Sequence, residues 1–197
     1  MRVNAADRIQ YQSGSMTTAA RLGRADLAFA SLNDFAQNAQ MIANIDPRVP
    51  LIADADTGFG GPPNIARMVQ VYHQSGVAGF HIEDQIATKR CGHLKGKEVV
   101  DMETWKSRIR ACVLGREAIY GGSDIVIIAR TDALAVEGFE AALQRVSAPV
   151  PWISGSVELL TDLIITSSSW QQRSVAQIWA FSRLLRQRSR SRRSSRL

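Results

Sequence analysis

The sequence predicts an α/β protein built from parallel βα units. Short apolar runs alternate with amphipathic helical patterns, residues 123–129 form a β-branched run typical of a buried parallel strand, and polar side chains follow the ends of the runs. Such alternation is typical of a parallel sheet covered by helices. Four strands are recognisable, and the pattern alone fits both a (β/α)8 barrel, which needs eight, and an open doubly wound sheet.

The first half of the chain supplies two of these strands. We predict a short strand within residues 3–12, followed by a short helical or looped piece and then a helix. Apolar residues near helical spacing indicate this helix: Leu27, Leu32, Phe35, Ala39 and Ile42. Pro47 ends the pattern, because proline disfavours helical backbone in the residue before it. A second strand is predicted at residues 50–54.

The middle of the chain continues the alternation. We predict a helix at residues 65–72, ended by Gly76, and a strand at residues 77–82. A helix at residues 102–120 and the strand at residues 123–129 follow, and residues 137–146 begin one more helix.

The composition changes after about residue 148. Two prolines interrupt the helical pattern, and residues 159–166 form an apolar piece without a clear partner. Residues 171–197 hold eight arginines and no acidic residue, so we predict a disordered arginine/serine tail. Without that tail the net charge of +6 becomes −2, and the remaining body gives no electrostatic argument for nucleic-acid binding.

Composition also indicates the cellular compartment that we expect for the protein. No apolar run is long enough to cross a bilayer, and residues 1–10 lack the apolar core of a secretory signal. The two cysteines do not form a disulfide framework. We therefore expect a reducing compartment, the cytoplasm before the mitochondrion.

Three acids at strand ends are candidate metal ligands. Asp54 and Asp56 follow the second predicted strand, and Glu83 follows the third. Hard oxygen ligands at converging strand ends suit Mg²⁺ or Mn²⁺ rather than zinc. The alternative is that these acids cap helices or pair with arginines.

Cys91 is the candidate catalytic cysteine. It stands between Arg90 and Gly92 in a basic loop that also contains His93, and nearby cations make a thiol more reactive. Glycines at 92 and 96 would let this loop act as a lid. The alternative is a solvated basic loop with an incidental cysteine, whereas Cys112 fits the core.

Two further side chains have competing interpretations. Arg130, at the end of the fourth strand, could clamp a substrate carboxylate or form a structural ion pair with a strand-end acid. His81, within an apolar strand, is more typical of a hydrogen-bonded core residue than of a catalytic one.

Six motifs occur in a characteristic order, namely Ser13-Gly14-Ser15, GRAD at 23–26, DADTGFG at 54–60, HIEDQ at 81–85, KRCGH at 89–93 and ARTD at 129–132. Through them, residues 11–147 resemble the isocitrate lyase/phosphoenolpyruvate mutase superfamily. The resemblance implies a (β/α)8 barrel with a Mg²⁺ (or Mn²⁺) site for small 2-hydroxy- or 2-oxo-dicarboxylates.

The resemblance also implies roles for individual residues. Asp54, Asp56 and Glu83 correspond to the metal shell, and Asp26 would reach the ion directly or through water. A second group corresponds to the substrate-binding residues: Ser13, Gly14, Ser15 and Arg130. Cys91 corresponds to the acid/base cysteine of the lyase branch, and His93 and Arg90 would position or tune it.

The implied reaction is carbon–carbon cleavage, as in methylisocitrate lyases, dimethylmalate lyases and oxaloacetate acetylhydrolases. A base removes a proton from the substrate hydroxyl or from water, the bond breaks, and the Cys91 thiol protonates the carbon that is left. The sequence does not identify the first base. A phosphoenolpyruvate phosphonomutase-like activity is the alternative reaction, which the presence of Cys91 disfavours.

The chain departs from the superfamily pattern at both ends. Few residues precede Ser13, and the sequence after residue 147 differs from the family, as after a shifted reading frame or a retained intron. We therefore expect a partial barrel of four to five βα units as the catalytic domain at 1–147 and a divergent segment at 148–197. Superfamily members assemble as tetramers by exchanging a C-terminal helix that is not recognisable here. A catalytically inactive fragment is therefore the alternative function.

Overall fold

The sheet has five parallel strands in sequential order. The computed structural model describes residues 8–148 and, for the backbone of one further strand, residues 157–161. The strands lie in the order β1-β2-β3-β4-β5, with these bounds: β1 Gln10–Gln12, β2 Leu51–Asp54, β3 Val77–Glu83, β4 Val126–Thr131 and β5 Val157–Thr161. A doubly wound sheet reverses its strand order at a switch point, whereas a barrel keeps sequential order. The described sheet therefore matches part of a (β/α)8 barrel.

Helices connect the strands. Their bounds are α1 Gly14–Leu22, α2 Leu32–Ala43, α3 Pro62–Gln74, α4 Met102–Glu117, α5 Ala133–Val136 and α6 Phe139–Ser147. No helix in the described ranges is both long and apolar enough to span a bilayer.

Local signals fix the helix ends. Ser31 begins α2 through a capping box with Asp34, and Pro62 stands in the first turn of α3, where its missing N–H costs little. Asp101 caps α4 by accepting a hydrogen bond from the backbone N–H of Thr104 at 2.9 Å. These caps satisfy backbone donors that a helix start leaves without partners.

The main core lies between the sheet and its helices. Alternate strand residues such as Ala53, Phe80 and Ile127 face this layer, where the helices contribute Tyr72 and Trp105. A second, smaller cluster of Ile52, Val126, Ile128 and Ile9 lies apart from this main core. Side chains alternate between the two faces of a strand, so four site residues lie on the face opposite the main-core residues of their own strands: Asp54, His81, Glu83 and Arg130.

Several details differ from the sequence predictions. Leu27 was wrongly assigned to the helical pattern: it lies in the loop before α2 and is 43% exposed, because the Ser31 capping box starts the helix at Leu32. The piece beginning near residue 159 was wrongly left without a partner, since residues 157–161 pair with β4. The helix predicted at 137–146 is preceded by the short α5. The tail at 171–197 lies outside the described residues.

Candidate active site

The carboxyl ends of β2, β3 and β4 bring the predicted acids to one edge of the sheet. In the parallel registers, Asp54 pairs with His81, and Glu83 pairs with Arg130. Asp54, Asp56 and Glu83 are all buried. Parallel strands thus place at one edge groups that are far apart in the sequence.

Asp54 is held from two sides by backbone amides. Its Oδ2 accepts a hydrogen bond from the N–H of Gly14 at 3.1 Å, and its Oδ1 accepts one from the N–H of Asp56 at 2.9 Å. A Cβ added at Gly14 would lie 2.6 Å from Asp54 Oδ2 and 3.2 Å from Asp56 Oδ1. Glycine at position 14 is therefore what lets the start of α1 touch both acids.

Asp56 begins a tight turn directly after β2. Its φ is 44°, in the left-handed region that non-glycine residues seldom adopt, and its carbonyl accepts a hydrogen bond from Glu83 N–H at 2.9 Å. Such strain persists only where the surroundings enforce it and is common at functional sites.

Asp26 joins the cluster through a lysine. Lys89 Nζ lies 2.7 Å from Asp56 Oδ1 and also forms an ion pair and hydrogen bond with Asp26 Oδ1. All three side chains are almost fully buried. The acid that the resemblance assigned a direct or water-mediated metal contact therefore reaches its neighbour through Lys89.

Glu83 contacts one cation and one amide. Its Oε2 lies 3.2 Å from Arg130 Nη1, and its Oε1 accepts a hydrogen bond from Gln85 Nε2 at 3.0 Å. The guanidinium of Arg130 also lies 3.5 Å from Asp132 Oδ2. Here Arg130 makes the structural ion pair that was the alternative to a substrate clamp.

Burial and neighbouring charges shift the pKa values of the three acids in different directions. Burial, followed by the charge of Asp54, raises the pKa of Asp56 to about 7. Burial raises the pKa of Glu83 to about 8 against the opposing charge of Arg130. Burial acts on Asp54 in the same direction, but the charges of His81, Arg130 and Lys89 together hold its pKa below the ordinary value. Burial therefore outweighs the neighbouring cations at Asp56 and Glu83, which hold their protons more tightly than Asp54 does.

These carboxylates fit a hard divalent cation. Asp56 Oδ1 is buried and makes no aligned hydrogen bond to any described residue, although Lys89 Nζ is near. Carboxylate oxygens are the donors that Mg²⁺ and Mn²⁺ select. In the arrangement seen across residues 8–148, no three His, Cys, Asp or Glu side chains are grouped as ligands of one ion, and Lys89 and Arg130 contact the acids instead.

The loop with Cys91 is anchored on this edge. Gln85 donates to the carbonyl of Arg90 at 2.9 Å and accepts from its N–H at 3.1 Å. Lys97 Nζ donates to the carbonyl of Gly92 at 3.0 Å and pairs with Asp132. Cys91 is half-buried between these anchors.

The other predicted catalytic and substrate-binding residues lie around this loop and at α1. Arg90 and His93 are exposed, and Arg90 Nη1 reaches the carbonyl of Lys95 at 3.5 Å. Ser13 caps α1 by accepting from the Met16 N–H at 3.3 Å, and Ser15 is half-buried in the first turn. The structure thus brings Ser13 and Gly14 to the acids and leaves Arg90 and His93 on the solvent side.

Sequence reasoning missed two pairs at the site. Tyr11 Oη lies 2.7 Å from His81 Nε2, and His81 Nδ1 lies 3.6 Å from Asp54 Oδ1. Tyr11 lies in β1, two residues before Ser13, and that position was the available signal. The role of Lys89 between Asp26 and Asp56 had no local signal, because the sequence shows it only as one cation among several.

A parallel sheet in sequential order with acids at its carboxyl edge defines part of a (β/α)8-type enzyme. Residues 29–156, more than half of the chain, match the model of the isocitrate lyase family, so the chain belongs to that family. This confirms the resemblance drawn from the motifs.

Individual relatives agree with this assignment. The 2-methylisocitrate lyase of Salmonella typhimurium is 42% identical over 171 residues, covering 85% of this chain and 55% of the relative. A crystal structure of 2,3-dimethylmalate lyase superposes with a TM-score of 0.72 at 49% identity, covering 85% of this chain and 54% of that one. The structure of oxaloacetate acetylhydrolase in complex with 3,3-difluorooxalacetate superposes with a TM-score of 0.73 at 46% identity, covering 87% of this chain and 55% of that one. The chain spans about half the length of the relatives it matches.

Proposed function

We propose that this chain carries the metal-dependent site of a carbon–carbon lyase or hydrolase acting on small 2-hydroxy- or 2-oxo-dicarboxylates. The observation that carries the proposal is the attachment of the cysteine loop to the acid cluster: Lys89, two residues before Cys91, contacts Asp56. The relatives are named as lyases or a hydrolase of small carboxylic acids, which supports the same reaction class.

The acid cluster would hold the cation. Asp54, Asp56 and Glu83 are the proposed ligands, and Asp26 is the proposed fourth acid, acting directly or through water. Bound Mg²⁺ or Mn²⁺ would stabilise negative charge that develops on substrate oxygens.

The start of α1 and Arg130 would bind the substrate carboxylates. Backbone N–H groups at a helix start attract anions, and α1 begins beside Asp54, which accepts from the N–H of Gly14. Arg130 would exchange its contact with Glu83 for a substrate carboxylate once a cation compensates that acid.

Tyr11 is the candidate for the first base. Its hydroxyl is hydrogen-bonded to His81 Nε2, which can take the phenolic proton while Asp54 stabilises the imidazolium. Tyr11 is 47% exposed as a residue, and this role requires its oxygen to face the substrate. The proton of the substrate hydroxyl, or of water in the hydrolase case, would pass to this pair.

Cys91 would complete the reaction. As the carbon–carbon bond breaks, its electron pair stays on the carbon next to a substrate carboxylate, and the Cys91 thiol gives that carbon a proton. This role needs the loop to cover the site, and the anchors through Gln85 and Lys97 hold it there.

The test is a substrate screen with the 197-residue chain. Oxaloacetate, 2,3-dimethylmalate and 2-methylisocitrate are incubated with Mg²⁺, and products are followed by proton NMR. We expect Mg²⁺-dependent cleavage of one of the three, abolished by EDTA. A folded chain that cleaves none of them would contradict the proposal and support a non-catalytic fragment. Conversion of phosphoenolpyruvate, followed by phosphorus NMR, would instead support the mutase alternative.

A further inference from the structure

Lys89 places a buried cation within the acid cluster. Its side chain is 3% exposed, and its Nζ lies between Asp26 and Asp56. Both carboxylates form ion pairs with the Lys89 ammonium, and the one with Asp56 Oδ1 has an N–O distance of 2.7 Å.

This ammonium and a divalent ion would compete for the same carboxylate. Lys89 Nζ is 2.7 Å from Asp56 Oδ1, whereas Mg²⁺ binds carboxylate oxygens at about 2.1 Å. Two cations at such distances from one carboxylate repel each other strongly in a buried setting. Occupancy of Asp56 by the metal therefore opposes occupancy by Lys89.

We infer that Lys89 is a built-in counter-cation that leaves Asp56 when the metal binds, so that metal occupancy controls one anchor of the Cys91 loop. The inference rests on the metal site proposed above and adds to it a link between that site and the loop. Lys89 is in this sense a positioning residue, since it acts on Cys91 through the backbone between them.

The rest of the loop limits how far this change extends. Gln85 still holds both backbone groups of Arg90, and Lys97 still holds the carbonyl of Gly92. Release of Lys89 would therefore shift the segment just before Cys91 without detaching the loop.

The surroundings provide space for the released side chain. Lys89 and Asp56 both line a cavity of about 540 Å³ whose wall is formed by the loop before α2 and by Phe59 and Asn64. The ammonium group adjoins this space, which Asn64 and Arg67 make partly polar.

Metal binding to a lysine variant tests the competition. Lys89→Met removes the charge and keeps the chain length, and Mn²⁺ affinity is measured by isothermal titration calorimetry on the 197-residue protein. We expect Lys89→Met to bind Mn²⁺ about tenfold more tightly than the unmodified chain. Lys106→Met is the matched control, because Lys106 pairs with exposed Glu103 and should leave the affinity unchanged.

Thiol reactivity tests the link to the loop. Cys91 is modified with a disulfide reagent with and without Mn²⁺, while buried Cys112 serves as an internal unreactive control. We expect Mn²⁺ to change the Cys91 rate several-fold in the unmodified chain and not in Lys89→Met. If Lys89→Met does not fold, as judged by its thermal melt, Lys89→Gln replaces it, since its amide can still donate to the two acids.

The outcomes separate this inference from the proposed function. If the unmodified chain binds Mn²⁺ but Lys89→Met binds it no more tightly, the competition is refuted while the metal site stands. An unchanged Cys91 rate on metal binding refutes the link to the loop. If neither protein binds Mn²⁺, both the metal site and the inference are overturned.

Discussion

A Cβ added at Gly92 would lie 2.5 Å from Nη2 of Arg130. The Cys91 loop therefore packs its backbone directly against the guanidinium that contacts Glu83. Only glycine permits this approach without displacing Arg130, so the position of Arg130 and the position of the loop are coupled.

Gly92→Ala should lower activity with little loss of stability. The methyl group would push the loop or Arg130 away, and displacements of about 1 Å at a catalytic group cost up to about 100-fold in rate. The measurements are kcat on the substrate found by the screen and the urea midpoint of unfolding. Gly61→Ala is the control, because its Cβ would meet only Pro63 at 4.0 Å. Equal activity of the two variants would show that the contact has no role in turnover.

The two cysteines should separate chemistry from stability. Cys91→Ser should reduce turnover by about 10²–10⁴-fold, as expected for loss of a general acid, and leave the melting temperature unchanged because Cys91 lies in a half-buried loop. Cys112→Ala should keep turnover but lower the unfolding free energy by about 1 kcal/mol, since it empties part of the core. A Cys91→Ser variant with normal turnover would remove the cysteine from the mechanism.

The strands and the main helix could be predicted because their signals are local. The β-branched run before Arg130 became β4, and the helix predicted at 102–120 became α4, whose Trp105 and Ile109 lie in the main core. The choice between barrel and doubly wound sheet was not local, because it depends on which strands pair. Strand order in the structure decided it.

At the candidate site, too, local sequence signals predicted some features, whereas others depend on contacts between distant segments. Acids at strand ends indicated where Asp54 and Glu83 would lie, since parallel strands end at one edge. The sequence could not show that Lys89 lies between Asp26 and Asp56, because those partners come from distant segments. Nor could it distinguish an ion-paired Arg130 from a substrate clamp, since both need the same residue at the same position.

Asp84 directly follows the proposed metal ligand Glu83, but we expect its main contribution to be to stability. Its carboxylate accepts from Thr131 Oγ1 at 2.6 Å and from the N–H of Asp132 at 2.9 Å, and Arg145 lies 3.4 Å away. Asp84→Ala leaves these buried donors without their acceptor, so we expect a loss of about 3 kcal/mol in the free energy of unfolding. Urea denaturation measures it.

The control is a variant of another aspartate that accepts a hydrogen bond from a threonine. Asp101→Ala removes an exposed helix cap and should cost clearly less than Asp84→Ala. Equal losses in the two variants would show that the contacts of Asp84 carry no more weight than a surface cap.

The capping box of α2 should give stability that depends on acid pH. Asp34 Oδ2 accepts from the Oγ and the N–H of Ser31, and these hydrogen bonds, with the side-chain one larger, lower the pKa of Asp34 below 3.8. Because the folded-state pKa is depressed, the stabilisation is complete above the unfolded-state pKa and is lost as pH falls through the folded-state value. Asp34→Ala should therefore be less stable at pH 7 by about 0.5 kcal/mol, because solvent screens this exposed carboxylate, and the difference should shrink as pH falls below about 4. Urea midpoints between pH 2.5 and 7 measure this, with exposed Asp124→Ala as the control. A difference that stays constant across that range would show that α2 gains nothing from the ionised form of Asp34.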